Sequence, residues 1–241
     1  MKLHCNSSLP RSGSELMQAL LAQHPEVYAS ATSPLLEYWF GAQGNFALAE
    51  VKSQSPLIMR EAFLRFCREG AKGYYSALTS ALPTEPVIVD KSRGWLEYAD
   101  LLWEVFPESR IVCMVRPIPD IVASLERIYR ANPGHPETRE LPKTADERAR
   151  WWTTPGRPPL GLAISRLTDR LSRGHDDRIK QVNYDTLVAD PIQTMREVFA
   201  FLRLDPIDID PDNVQKPVPE DDSHYGIFGQ HQLRPKVSRR Q

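Results

Sequence analysis

Leu9-Pro10-Arg11-Ser12-Gly13-Ser14-Glu15-Leu16 follows a short apolar start, Lys2 to Asn6, and opens an amphipathic run that reaches His24. A strand, a tight turn and a helix in that order make an anion trap. The N–H groups of the turn and the first free N–H groups of the helix converge on one spot, where the helix dipole favours negative charge. Gly13 lets the backbone come close, Ser12 and Ser14 add hydroxyl donors, and Arg11 adds a permanent positive fork. The segment therefore predicts a grip on a phosphate-like group by Arg11, Ser12, Gly13 and Ser14. It is not a Walker A loop, which needs a second Gly followed by Lys. The same residues also read as a plain helix start, because Ser12-x-x-Glu15 before an apolar run is a capping box. The two readings collide only at Glu15, whose carboxylate repels a bound dianion unless it turns back on its helix.

Outward from this turn, strands and helices alternate. Val27 to Ser30, Pro86 to Asp90, Arg110 to Val115 and Ile179 to Asn183 read as further strands. Helical periodicity covers Pro34 to Phe46, Ile58 to Leu82, Trp95 to Val105, Pro119 to Arg130, Asp146 to Trp152, Leu160 to Arg173 and Pro191 to Leu202. This alternation predicts an α/β fold, residues 1–241 in a single domain, with a central, mainly parallel sheet flanked by helices. Ligands on such sheets bind at the carboxyl ends of the strands. Residues 132–143, rich in Pro, Gly and charge, read as a mobile loop, and the chain from residue 205 onward as an irregular tail.

Two more constellations fall at strand ends. After Ile111 to Val115, Arg116 arrives at the carboxyl edge and Ser124 lies about a turn into the next helix, a suitable pair for a second phosphate. The alternative is a surface Arg and an ordinary helical Ser. After Val87-Ile88-Val89 come Asp90, Lys91 and Arg93. They read either as a site or as a helix cap and an ion pair.

Composition sets the limits. The 241 residues carry a formal net charge of -1, which argues against a nucleic-acid partner held by bulk charge and leaves room for a local basic pocket. Cys5, Cys67 and Cys113 have no metal-ligand spacing and read as buried small hydrophobes. No apolar run is long enough to span a membrane and no signal-peptide core precedes the turn, so a cytoplasmic protein is expected.

Together these pieces resemble the sulfotransferases that use 3′-phosphoadenosine 5′-phosphosulfate (PAPS), over most of the chain from Leu9 to about Leu204. Leu9 to Ser14 is similar to that family's 5′-phosphosulfate loop, Arg116 through Ser124 to its 3′-phosphate motif, and Asp90 to Trp95 to its central Lys-containing strand end. Asn183-Tyr184-Asp185 through Asp190-Pro191 resembles the segment after its last strand. The resemblance implies a P-loop NTPase-like sulfotransferase fold, PAPS as donor, 3′,5′-ADP as product, a small-molecule acceptor and no metal. It assigns catalysis to Arg11 and Lys91, and donor binding to Arg11, Ser12, Gly13, Ser14, Glu15, Arg116, Ser124 and Tyr184. Arg234 and Lys236 stand in for a nucleotide loop that the tail otherwise lacks.

Arg93 occupies the place where cytosolic members carry a His that serves as base. Asp90, Glu37 and Glu61 are candidates for that task by residue type, and His135 by its place in the loop. Tyr38, Trp39, Phe40, Tyr74 and Tyr75 read as helix packing, and Trp151-Trp152 as an acceptor-pocket wall. A metal-dependent small-molecule kinase, with Val87 to Asp90 as a Walker B strand, and a non-catalytic nucleotide binder remain the alternatives.

Overall fold

The computed structural model describes residues 1–82, 84–174 and 177–238. Five strands, β1 (Lys2–Asn6), β2 (Val27–Thr32), β3 (Val87–Lys91), β4 (Ile111–Val115) and β5 (Ile179–Asn183), form one sheet. Its order is β2-β3-β1-β4-β5 and every pairing is parallel. β1 therefore lies between β3 and β4: the chain places β2 and β3 on one side of it, then crosses back to place β4 and β5 on the other. A parallel sheet with this reversal opens a crevice at its carboxyl edge.

Alternation along the strands feeds two apolar layers. Leu3, Cys5, Ile88, Ile111 and Cys113 face a layer containing Trp39, Trp95 and Leu102. Val87, Val89, Val112 and Met114 face Met17, Leu20, Met195 and Phe199. The helices between strands are α1 (Ser14–Leu21), α2 (Leu35–Gly44), α3 (Ala49–Lys52), α4 (Pro56–Leu78), α5 (Ala99–Val105) and α6 (Ile118–Ala131). Then follow α7 (Pro136–Arg139), α8 (Ala145–Thr153), α9 (Leu160–Ser172), α10 (Tyr184–Ala189) and α11 (Pro191–Phe201).

Differences from the sequence reading have local causes. The helix expected from Trp95 starts at Ala99, because Trp95 is drawn inward to donate its indole N–H to Asp90 Oδ1 at 2.6 Å. α10 was not anticipated. Its cap is Asn183, whose side-chain oxygen accepts from the N–H of Asp185 at 2.8 Å and of Thr186 at 3.3 Å. All three cysteines are buried and free. Of the aromatics assigned to packing, Trp39 and Tyr75 are buried, whereas Tyr38 and Phe40 are more than half exposed at 57% and 55%.

The segment 132–143 contains α7 and is tied to the tail. Asn132 Nδ2 donates to Phe228 O at 3.1 Å, and Asn132 Oδ1 accepts from Phe228 N at 2.8 Å. Beyond α11 the described tail has a short 3-10 turn, Asp222–Tyr225, and otherwise no helix or strand. It is nonetheless anchored: Val214 N donates to Pro235 O and Val237 N to Pro211 O, each at 2.8 Å, and Ile209 and Val214 join the core. No described helix is long and apolar enough to cross a membrane.

Candidate active site

The loop after β1 runs beside β4, with Ser7 N donating to Val112 O at 3.0 Å and Leu9 N to Met114 O at 3.1 Å. It then tightens through two left-handed residues, Arg11 at φ 58° and Gly13 at φ 103°. The glycine is needed twice over: for its φ, and because a Cβ there would come within 2.8 Å of Tyr184 Cδ2. Gly13 is also the N-cap of α1. The N–H groups of Ser14, Glu15 and Leu16 precede the first helical bond, from Met17 N to Gly13 O at 2.9 Å, and so face the crevice. Beneath the loop, Asn6 and Gln18 form a buried polar tie. Asn6 Nδ2 donates to Ser14 O and Gln18 Oε1, both at 3.3 Å, and Gln18 Nε2 donates to Ser30 O at 2.8 Å.

No capping box forms, since α1 has no side-chain cap. The Ser12 hydroxyl lies 2.6 Å from Leu9 O and 2.8 Å from Met114 O, so its single proton bonds the loop to β4. The hydroxyl donor expected of Ser12 is turned inward, because a tight turn against a strand end leaves two carbonyls to satisfy. Glu15 does not cap its helix. Its carboxylate is ion-paired with Lys91, which also meets Glu220 at 3.4 Å.

Arg116 leaves β4 with its guanidinium 4.6 Å from the centre of the Tyr184 ring. Its side chain is 9% exposed and its Nε is buried without a hydrogen-bond partner, with Asp120 Oδ2 at 3.5 Å as its ionic neighbour. Ser124 is buried one element away and accepts from Arg11 Nε at 3.1 Å rather than pairing with Arg116. Arg11 also donates to the carbonyl of Gln230 in the tail.

Arg11, Gly13, Ser14, Glu15, Lys91, Arg116, Tyr184 and Arg234 all border one cavity of about 220 Å³, while Ser12 and Ser124 sit behind its wall. Lys236 and Arg93 border it too. A chain with a net charge of -1 thus gathers Arg and Lys side chains around one crevice, an arrangement suited to a ligand with several anionic groups.

The proposed bases fare differently. Asp90 is fully buried, accepting from the Tyr75 hydroxyl and the Trp95 indole. Burial raises its pKa, against the pull of its hydrogen bonds. It does not border the cavity, and neither do Glu37, Glu61 and His135. Trp152 is core and Trp151 packs under Arg157, whose guanidinium lies 3.5 Å from its ring centre, so the pair does not wall this cavity. Sequence reasoning missed Tyr225, Gln230 and His231, which border the cavity from the tail, and Glu220, which reaches Lys91 from beside them. No periodicity marks them; the only local signal is an Asp- and Gly-rich run of turns around them.

The family model described as "Sulfotransferase family" matches residues 7–208. The sulfotransferase domain of an olefin synthase from Synechococcus PCC 7002 superposes with a TM-score of 0.57 at 19% identity, covering 98% of this chain and 84% of that one. A sulfotransferase domain from the curacin biosynthetic pathway gives 0.56 at 19% identity, covering 98% and 87%. A sulfotransferase from Alicyclobacillus acidocaldarius gives 0.54 at 17% identity, covering 87% and 85%. At these identities the likeness is one of fold. No curated protein matches the chain.

Proposed function

The chain belongs to the sulfotransferase family, and from that premise we propose that it moves a sulfuryl group from PAPS to a hydroxyl or amine of a small-molecule acceptor, releasing 3′,5′-ADP. The observation that carries this reading is Arg116. Its buried Nε lacks a hydrogen-bond partner, and it borders the same cavity as Arg11 and the loop after β1. A donor with separate 3′ and 5′ anionic groups answers both, and a ligand with one phosphate answers one.

In this reading the 5′-phosphosulfate lies on the N–H groups of Ser14 to Leu16 and on Arg11, and the 3′-phosphate on Arg116. Tyr184 packs against Gly13 and under Arg116, and so fixes the distance between the two holders. Lys91, close to Glu15 and Glu220, neutralises charge growing on the sulfuryl and leaving phosphate oxygens. Arg234 and Lys236 add positive charge from the tail side. Sulfuryl transfer, like phosphoryl transfer, asks the protein mainly for positioning and fixed charge. A kinase would need Asp90 to hold Mg²⁺, and Asp90 is enclosed by Tyr75 and Trp95.

The test combines calorimetric titration with transfer of labelled sulfate across phenols, alcohols, amines and sugars. The expected result is 3′,5′-ADP binding without Mg²⁺ and label in at least one acceptor class. Tight Mg²⁺–ATP binding with no response to 3′,5′-ADP would favour the kinase. 3′,5′-ADP binding with no transfer anywhere would leave a binding protein.

A further inference from the structure

The acceptor's proton needs a destination, and the residue types first considered for it lie outside the cavity or under Tyr75 and Trp95. Glu15 and Glu220 are close to the reacting region, but both carboxylates pair with Lys91. Burial works against ionised Glu220, yet Lys91 and the backbone N–H of Thr32, at 3.0 Å, outweigh it and hold its pKa below the ordinary value. That makes it a weak proton acceptor.

His231 is different. It borders the cavity from the tail and its side chain is only 13% exposed. A ring nitrogen lies within 4.8 Å of carboxylate oxygens of both Glu15 and Glu220, which sets it beside the Lys91 cluster. Nδ1 is 2.6 Å from Asp222 Oδ1. Asp222 is itself immobilised, because its Oδ2 accepts from Gly229 N at 3.0 Å and from His231 N at 3.4 Å. The Tyr225 ring packs on the imidazole, with centroids 4.9 Å apart. A carboxylate at Nδ1 selects the tautomer with its proton there and leaves the lone pair on Nε2.

We propose that His231, oriented by Asp222, is the general base that takes the proton from the acceptor hydroxyl, an inference that rests on the sulfuryl-transfer reading above. The acceptor O–H proton passes to Nε2 as the acceptor oxygen bonds to sulfur. The bond between sulfur and the 5′-phosphate oxygen breaks, and its electron pair stays on that phosphate beside Arg11 and Lys91. The imidazolium so formed faces Asp222, Glu220 and Glu15, with Lys91 between the two glutamates and the Tyr225 phenol alongside. His231 then releases this proton to solvent, which regenerates the neutral imidazole.

Two variants test the assignment. His231→Gln should lower transfer to phenol by ~100-fold or more, the usual contribution of a positioned base. Transfer to para-nitrophenol in mildly alkaline buffer, where that acceptor is already ionised, should fall only a few-fold, and 3′,5′-ADP affinity should stay within about twofold of wild type. Asp222→Asn sharpens the point. The two backbone donors claim the amide oxygen at the Oδ2 position, so the amide NH₂ faces Nδ1 and drives the ring proton to Nε2. Nitrogen-15 NMR of the ring should report that tautomer switch directly, together with the same selective loss of phenol transfer. Equal losses with both acceptors, or a wild-type ring already protonated at Nε2, would overturn the proposal while leaving the donor reading intact. Failure of wild-type protein to bind 3′,5′-ADP would overturn the donor reading, and the base assignment with it.

Discussion

The loop over residues 9–14 and the tail over residues 214–238 border the same cavity and are built by opposite means. The loop is made by backbone. Two left-handed residues, a glycine under Tyr184 and a helix start aim N–H groups at the crevice, and only Arg11 reaches across with a side chain. The tail is made by side chains and distant contacts. Asn132 grips Phe228, Glu220 meets Lys91, Arg11 holds Gln230, and Asp222 orients His231. Groups on the floor are fixed before any ligand arrives, whereas the roof is held in part by pairs that themselves respond to charge, Glu220 with Lys91 and Asp222 with His231. The floor is thus suited to gripping a constant anion, and the roof to proton and charge adjustment at the transferring end.

Breaking the floor should do the most. Arg11→Ala is expected to cost ~100-fold or more in transfer, the scale of one preorganised cation at a developing negative charge. Circular dichroism and melting should show the variant folded; activity within a few-fold of wild type would remove Arg11 from the reaction. Next comes the far holder. Arg116→Ala should weaken 3′,5′-ADP by ~10- to 100-fold, as loss of charge-assisted bonds does. It should leave 5′-AMP nearly unchanged, and equal losses in calorimetry would show that Arg116 does not read the 3′ group.

In donor binding, the Glu220 contact of the roof should respond more mildly and with the opposite sign. Glu220→Gln removes a negative charge from Lys91, so 3′,5′-ADP should bind a few-fold tighter, and more so at low salt. Acid makes the same cut. The pKa of Glu220 is lowered below 4.5 and that of Asp222 below 3.8, burial notwithstanding, by Lys91 and by the bonds from His231. Their stabilisation is therefore complete above those ordinary values and fades as pH falls through the lowered ones. Hydrogen exchange should speed up across residues 220–231 at acid pH before it does in the loop at 9–14. The smallest effect expected is none. Burial pushes the Cys67 thiol up to about 11 and the Cys113 thiol to about 12, so iodoacetamide at neutral pH should leave both unmodified in the folded protein and activity untouched.

The same contrast explains how much could be read beforehand. β1, β3, β4 and the turn after β1 are legible because buried parallel strands are nearly continuous apolar runs and a phosphate turn has a short-range signature. Arg116 and Lys91 are legible as residues delivered by such strands to the carboxyl edge. The bond from Ser12 to Met114 O spans 102 positions and that from Arg11 to Ser124 spans 113, so neither contact is legible in the local sequence. The roof was opaque for the same reason in stronger form. Its Pro-, Asp- and Gly-rich turns carry no periodicity, and what places His231 in the cavity is the meeting of the tail with residues 132, 91 and 11. Asp90, by contrast, was visible as a carboxylate at a strand end; only packing could say that Tyr75 and Trp95 enclose it.

The order in which this polypeptide leaves a ribosome gives the arrangement a further meaning. All five strands and α11 emerge before Glu220, Tyr225 or His231 exists, so the sheet with its anion-gripping floor can condense first and the far wall is hung on it last. A truncation just past Phe201 would therefore keep all five strands but take Leu204, Ile209 and Val214 from the core and strip the crevice of one side.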